Sequence, residues 1–307
     1  MPLISVIIPT FERPEFLRAA ICSVLRQTIK DLEVLVIDDG SAIDLPPLID
    51  AFGDARIRYL RHDSNRGEAA SRNTGILNAR GAYLAFLDDD DEWLQEKLRL
   101  QIELFSHCPD TVGCVYGGYE AIRARDGEVL WRRVPTKRGD LSRELLQRNV
   151  LGIPSTVMLR RQCVERVGLF DEDIAFGLDH DLWLRIAHEY RFDFVPEVVA
   201  RYTIHQRQVS NDAFVIAKGH ADLLRKYGSR LRPDRRRVGR IYFSLGRAMC
   251  LRGLSASGRR ALLKALRANP LNVRPYIYLA LSLGPSGSVS RFRTLVAKIR
   301  GRNPTDL

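Results

Sequence analysis

This sequence of 307 residues predicts an α/β fold built on a mainly parallel sheet, with a helical extension at its C-terminal end. Three observations carry that expectation. Short β-rich runs alternate with segments of helical period over roughly the first 112 residues, which is the pattern of strand–helix–strand units. The runs are apolar almost throughout rather than alternating, as strands covered on both faces are. Beyond about Ser210 no strand signal remains.

The β-rich runs are ISVIIPT (4–10), EVLVIDD (33–39), IRYLRH (57–62) and YLAFLDD (83–89). Behind Pro14, which suits a first helical turn, Phe16, Leu17, Ala20, Ile21, Val24 and Leu25 form one apolar stripe. Residues 67–79 and 93–105 read as the next helices, the second with Leu94, Leu98, Ile102 and Phe105 on one face. From 113 the pattern changes. GCVYGGYEA, EVLWRRV, STVMLRR and FDFVPEVVARYTIH read as strands of a mixed or antiparallel second half, with helices near 141–148 and 179–190. Residues 240–270 have the spacing of a helical hairpin, with Gly253 at the bend, Ala261, Leu262, Leu263 and Leu266 on the second helix, and Pro270 as a stop. That hairpin is similar to a single tetratricopeptide-type unit. The expected organisation is a domain over 1–215, with halves at about 1–112 and 113–215, followed by a basic helical region over 216–307.

Charge is unevenly distributed. The net +11 divides into +18 from residue 216 onward, where 21 Lys/Arg face 3 Asp/Glu, and −7 over the first 215 residues. A basic C-terminal third suits an anionic surface, and a solvated helical face is the plainer alternative. No targeting segment is visible, and the best apolar run, Tyr276 to Leu283, is far short of the ~20 residues of a membrane span. Cys22, Cys108, Cys114, Cys163 and Cys250 show no metal spacing and read as free thiols in a reducing cytoplasm.

Parallel sheets bind ligands at the carboxyl ends of their strands, and the acids fall there: Asp38 and Asp39 after the second run, Asp88 to Asp91 after the fourth. A helix starting near Glu92 needs one capping aspartate, for which Asp91 is placed, not four. Several oxygens at one strand end suit Mg²⁺ or Mn²⁺ held jointly with phosphate oxygens, so a nucleoside diphosphate derivative is the expected ligand. No G-x-x-x-x-G-K-[ST] and no G-x-G-x-x-G follows the first strand, which argues against a nucleoside triphosphatase or a dinucleotide dehydrogenase. Six histidines make a zinc site a poor expectation.

The segments ISVIIPTFERPEFL, EVLVIDDGS, NRGEAASRNTGILNARGAYLAFLDDDDEWLQEKL and STVMLRRQCVERVGLFDEDIAFGLDHDLWLRIA resemble, in order and spacing over about residues 3–210, a family 2 glycosyltransferase. That resemblance implies the A-type glycosyltransferase fold, a Rossmann-like mixed sheet flanked by helices, and metal-dependent inverting transfer of a hexosyl group. By position it sets Pro9, Thr10 and Phe11 at the nucleoside, Asp39 on the base, and Asp38 as support for the loop. Asn65, Gly67, Arg72 and Asn73 fall on the segment leading to the diphosphate, where Arg72 has the guanidinium fork that phosphate oxygens accept. Asp88-Asp89-Asp90 stands at the family's D-x-D signature. Asp90 is implied as the metal ligand, Asp89 as the ribose contact and Asp88 as support for metal or donor. His205 stands where some relatives bring a histidine towards metal or diphosphate, and a hydrogen-bonded structural histidine after a strand is its alternative. The family's base belongs to an acidic pair just before D-L-W, and here that pair is Leu178-Asp179. Asp179 is thus implied as general base, with Asp181 its alternative or a cap or partner for Arg185. Trp183 reads as core, and Trp93 as core or acceptor border.

The function implied is transfer of a sugar from a nucleotide-sugar donor, a UDP-sugar by resemblance, to an acceptor hydroxyl in cell-surface polysaccharide or glycolipid synthesis. The acceptor would be a glycan or a lipid-linked glycan, and the setting the cytoplasm, at the inner membrane face through peripheral contact with anionic lipid. No nucleic acid is expected. Two competing readings stay open. One is a nucleotidyltransferase, which wants a Gly-rich basic loop that PTFERPEF lacks. The other is a catalytically idle sugar-nucleotide-binding module recruiting a partner through its basic helices.

Overall fold

The computed structural model describes residues 1–174, 176–231, 235–284, 289 and 291–292. They form two compact units, one of residues 1–173 with 178–206, the other of residues 174–177 with those from 207 onward.

In the first unit β1 (Ile4–Thr10) and β2 (Leu32–Asp38) are buried along their whole length. They pair in parallel with each other, β2 pairs with β3 (Ile57–Arg61), and β1 pairs with β4 (Tyr83–Phe86), also in parallel. Side-chain period decides the layering. Ile4, Val6 and Ile8 pack with Leu17, Ile21 and Val24 of α1 (Pro14–Leu25), with Ile49 of α2 (Pro46–Asp50) and with Leu98 and Phe105 of α4 (Lys97–His107). Ile7, one residue out of phase, meets α3 (Glu68–Asn78), where a Cβ on Gly75 would lie 2.4 Å from its Cγ2. Pro9 sits in a central strand without breaking it, because pairing with β4 has already ended at Ile7.

The second half reverses direction as expected. β8 (Val157–Arg160) runs antiparallel to β4, β6 (Val112–Arg123) antiparallel to β8, and β9 (Arg191–Ile204) parallel to β6. β7 (Val129–Arg133) adds to β6 as an exposed hairpin strand. The order β3-β2-β1-β4-β8-β6-β9-β5, where β5 is the short strand Glu92–Trp93, makes one mixed sheet, flanked by α5 (Ser142–Gln147), α6 (Arg161–Val167) and α7 (Leu178–Ile186) as well.

Two expected boundaries change. The helix expected over 93–105 starts only at Lys97, because Glu92–Trp93 forms a short strand, β5, against Arg201 and Ala200 of β9. The helix expected over 179–190 ends at Ile186. Trp183 is fully buried, and buried Trp93 donates its indole N–H to the Ser155 carbonyl at 2.7 Å.

The second unit is helical: α8 (Ala213–Leu231), α9 (Arg235–Leu251), α10 (Ser255–Ala268) and α11 (Val273–Leu283). The bend is at Gly253, whose φ of +79° suits glycine. α9 and α10 approach backbone to backbone at Gly246 and Gly258, where a Cβ on either would come 2.9 Å from the other's carbonyl oxygen. Among the described residues no helix is long and apolar enough to cross a membrane, and all five cysteines are free.

At the end of the sheet opposite the acid cluster, Glu33 ties three elements together. Its carboxylate accepts the Ser5 hydroxyl (2.7 Å), the Arg58 guanidinium (2.7 Å) and the Arg80 N–H (2.6 Å). Burial alone would raise this carboxyl, but those hydrogen bonds outweigh it and hold it below its ordinary value. Glu33→Gln is therefore expected to lower stability by about 1–3 kcal/mol at neutral pH in chemical denaturation. A depressed native value stabilises above the unfolded-state one, so the deficit should shrink as pH falls through the native value. Equal midpoints at pH 7 would contradict this role.

Candidate active site

The site lies at the C-terminal ends of β1, β2 and β4, where β2 and β4 leave β1 on opposite sides. This is the switch point at which parallel sheets open a crevice. Four consecutive carboxylates follow β4 here, and each is held by a different combination of partners.

Asp88 accepts the Arg72 guanidinium at 2.5 Å, and its backbone N–H donates to the Ser155 hydroxyl oxygen at 3.2 Å. Asp89 is fully buried and accepts the Thr10 hydroxyl at 2.6 Å, tying β1 to β4. Asp90 accepts the Arg13 guanidinium at 2.6 Å and lies 2.9 Å from Nε2 of His205. Asp91, expected to cap the next helix, does not. It accepts the Ser155 hydroxyl at 2.6 Å and the Thr203 N–H at 3.2 Å, and so joins the end of β4 to the turn before β8 and to β9. The N-cap position of α4 is Glu96, which makes no capping bond. The cause is the β5–β9 pairing, which carries the chain away from a helical start at Glu92.

Arg13 was not singled out by the sequence, yet it spans the centre of the cluster. Its guanidinium contacts Asp89 and Asp90 at 2.6 Å each. Burial opposes its charge, and Asp89, Asp90 and Asp88 more than restore it, so it is held above its ordinary value. Burial pushes the Asp89 carboxyl up to about 7, with Arg13 opposing and Asp90 adding to the rise. Burial also raises Asp91, with Asp90 and Asp88 contributing. Glu12, just before Arg13, has φ +56°, the one positive value among described non-glycine residues. Ser41 accepts its N–H at 3.0 Å and its carboxylate accepts the Ala42 N–H at 2.5 Å. The loop after β2 thus holds this turn, and the turn aims Arg13. The available signal was that Arg13 is the sole cation in the loop between β1 and α1.

Asp38 supports its loop, accepting the Ser41 N–H at 2.9 Å and the Tyr59 hydroxyl at 2.5 Å. Asp39 accepts the N–H groups of Arg66 (2.9 Å) and Gly67 (2.8 Å) and faces Nδ1 of His62 at 2.8 Å. Three of a carboxylate's roughly four lone-pair positions are thereby used, which leaves one for a ligand. His62, also absent from the sequence reading, is fixed from behind by the Thr74 hydroxyl at 2.9 Å. Gly40 lets this happen: at φ +77° a Cβ would lie 2.6 Å from the Ser64 backbone. Pro9 and Thr10 are buried, Phe11 and Asn65 exposed.

Arg72 is not an open phosphate contact. Its side chain is buried against Asp88 and Glu68, both at 2.5 Å. Arg13, 21% exposed, is the guanidinium that reaches solvent. Asn73 pins the segment after α6, donating to the Phe170 carbonyl and Glu172 and accepting the Phe170 N–H.

Asp179, in the first turn of α7, accepts Nδ2 of Asn149 at 2.9 Å, and the same amide donates to the Gly152 carbonyl. Burial raises the Asp179 carboxyl, Arg72 pulls it back, and Asp88 adds to the rise, so Asp179 shares its electrostatic surroundings with the acid cluster. Asp181 pairs with Arg185 at 3.0 Å, and Leu178 is buried.

Among the described residues no three His, Cys, Asp or Glu side chains form a ready cation cage. A hard divalent ion that keeps substrate phosphates and waters in its shell needs only one or two protein ligands. Asp90 and His205 are a carboxylate and an imidazole of the types such an ion accepts; here they hydrogen-bond to each other at 2.9 Å, and Arg13 shares the same Asp90 oxygen at 2.6 Å. Phe16, expected in the α1 core stripe, stacks on the His205 ring at 4.6 Å and holds it.

The sequence profile of glycosyl transferase family 2 matches residues 5–168. An uncharacterized glycosyltransferase of Rickettsia prowazekii is 31% identical over 231 residues, covering 72% of this chain and 70% of that one. The UDP-Glc:alpha-D-GlcNAc-diphosphoundecaprenol beta-1,3-glucosyltransferase WfgD of Escherichia coli is 30% identical over 224 residues, covering 72% and 85%. Among solved structures, S. aureus TarS 1-349 in complex with UDP-GlcNAc aligns over 98% of this chain and 93% of its own at a TM-score of 0.59 and 15% identity. The mannosyltransferase PcManGT from Pyrobaculum calidifontis, in complex with GDP-Man and Mn²⁺, aligns over 99% and 82% at a TM-score of 0.56 and 19% identity. Those two likenesses show the A-type glycosyltransferase fold. With a profile spanning over half its length and relatives at these identities, the chain belongs to glycosyl transferase family 2 and is a glycosyltransferase.

Proposed function

We propose that this enzyme transfers a hexosyl group, with inversion, from a UDP-sugar to an acceptor hydroxyl on a lipid-linked glycan during cell-surface polysaccharide or glycolipid synthesis. The observation that carries the reading is the setting of Asp179. It is a half-buried carboxylate raised by its surroundings, oriented by Asn149 and electrostatically coupled to the Asp88–Arg72 pair. The E. coli relative, whose name specifies a UDP-sugar and a diphosphoundecaprenol acceptor, supports the donor and acceptor classes.

In the reaction the acceptor oxygen attacks the anomeric carbon as the bond from that carbon to the diphosphate oxygen breaks. The hydroxyl proton passes to Asp179, and the electron pair of the broken bond leaves with the nucleoside diphosphate. Asp39 has one acceptor position free for a base N–H, and exposed Phe11 offers a ring beside it, with Pro9 and Thr10 forming the strand end beneath. Asp89, expected at the ribose, is fully buried between Thr10 and Arg13 and serves instead to brace the strand end, while Arg72 fixes Asp88 at the donor edge. Asp90 and His205 would hold a divalent cation, and the imidazole nitrogen favours Mn²⁺ over Mg²⁺. When bound, such an ion stabilises negative charge on the leaving diphosphate. The excess of cations from residue 216 onward would draw the enzyme to the inner face of an anionic membrane.

Asp179→Asn should lower kcat by about 10²–10⁴-fold with little change in donor affinity. Because the Asp179 carboxyl is raised and acts deprotonated, kcat of the parent should fall as pH drops through a value above the ordinary carboxylate range, and the variant should lack that limb. Equal inactivity of parent and variant with intact donor binding would instead establish an idle binding module. A thermal-shift series with UDP-sugars tests the cation. Donor plus Mn²⁺ should raise Tm more than donor alone, and Asp90→Asn with His205→Ala should abolish the difference. A metal-independent shift in the parent would remove the ion from this proposal.

A further inference from the structure

α11 is apolar on both sides. One side is internal: Tyr278 and Leu279 pack on the cluster around Cys250 and Leu262, and the Ser282 carbonyl accepts Arg259 of α10 at 3.0 Å. The other side is exposed, and its residues recur at helical spacing: Val273, Tyr276, Ile277, Ala280 and Leu283. The exposed fractions are 67% for Val273, 49% for Tyr276, 42% for Ile277 and 71% for Leu283, and Leu271 in the preceding turn is 90% exposed. Among the described residues nothing in the helical unit packs on this apolar face.

The surrounding charge narrows what could cover that row. Between Arg235 and Gly284 there are eleven Lys/Arg and no Asp or Glu. α10 exposes Arg260, Lys264 and Arg267, with Leu263 among them, and Arg274 is exposed on α11 itself. A second copy of the same face would bring the same cations and no acid to receive them. A nucleic acid would take the cations and leave Val273, Ile277 and Leu283 facing water. An anionic bilayer satisfies both features, since lipid phosphates meet the Lys/Arg and the headgroup–acyl boundary takes the apolar row, with Tyr276 of the type that settles at that interface.

We propose that the exposed row of α11, led by Leu271 and flanked by Arg267 and Arg274, is a monotopic docking face that lies in the surface of an anionic lipid bilayer. This deepens the membrane contact proposed above by naming the residues that enter the lipid, and it is independent of the transfer chemistry.

The test is co-sedimentation of the full chain with vesicles of phosphatidylcholine alone or with added phosphatidylglycerol, at low and high salt. The parent should pellet with anionic vesicles at low salt, release at high salt and bind weakly to the zwitterionic ones. Val273→Ser with Ile277→Ser and Leu283→Ser should weaken anionic-vesicle binding by about tenfold or more, since several methyl and methylene groups no longer enter the lipid. Leu271→Ser, at the most exposed of these positions, gives a milder loss and serves if the triple variant unfolds. Arg267→Gln with Arg274→Gln should weaken binding and flatten its salt response. The proposal is overturned if the parent stays in solution with anionic vesicles, if the serine variants bind as the parent does, or if duplex DNA or RNA displaces the chain from the vesicles. Full turnover of a water-soluble acceptor by the serine variants would leave the transfer reaction standing even if docking failed.

Discussion

The constraint on which this site depends is the mutual repulsion of four consecutive carboxylates at the end of a buried strand. Two unit charges about 4 Å apart cost ~4 kcal/mol at an effective dielectric of about 20, and the strain shows in the buried Asp89 and Asp91, both raised towards their neutral forms. Compensation takes a different form at each position. Asp88 has a buried guanidinium, Asp89 a hydroxyl and part of a second guanidinium, Asp90 the rest of that guanidinium and an imidazole, and Asp91 a hydroxyl and a backbone N–H. The partners come from β1, the loop behind it, α3, the turn before β8, and β9. The acid cluster is therefore where the two halves of the sheet are joined as well as where a donor would bind.

That arrangement gives Arg13 a particular standing. Its two contacts at 2.6 Å put a positive charge between Asp89 and Asp90. A divalent ion held by Asp90 and His205 would compete with this guanidinium for the same carboxylate oxygen. Arg13 is also partly exposed, whereas Arg72 is locked between Glu68 and Asp88. Of the two arginines Arg13 is the more exposed, 21% against 1% for Arg72, so re-aiming its guanidinium would disrupt fewer buried contacts.

What the sequence disclosed follows from the range of each interaction. The continuous apolar runs of β1 and β2, the Pro14 start of α1 and the Gly253 bend are local, and they stand where period and turn chemistry put them. Glu92–Trp93 reads as the start of a helix because nothing nearby reveals its pairing with β9, more than a hundred residues away. The same distance hid the role of Asp91, whose partners are Ser155 and Thr203, and that of Phe16, which looks like one more stripe residue until β9 brings His205 over it. The strand-end acids were legible because their types and positions are unusual in themselves. Arg13, His62 and Asn149 were not, because an arginine in a loop, a histidine after a strand and an asparagine beside a helix are each ordinary until geometry groups them.

The division of charge along the chain bears on how the two ends of the enzyme can act. The net −7 of the first 215 residues and the +18 beyond them would attract each other if fields acted at long range. At physiological ionic strength the Debye length is about 8 Å, shorter than a single domain, so exposed charges act mainly on what touches them. Buried groups escape much of that screening, and the Asp88–Arg72 and Asp89–Arg13 pairs lie in such surroundings. The strand-end site should therefore keep its affinity for a cationic or metal-chelated ligand over a salt range that weakens any contact made by exposed arginines on α10 and α11. Sensitivity to salt is thus a property of the helical unit rather than of the acid cluster.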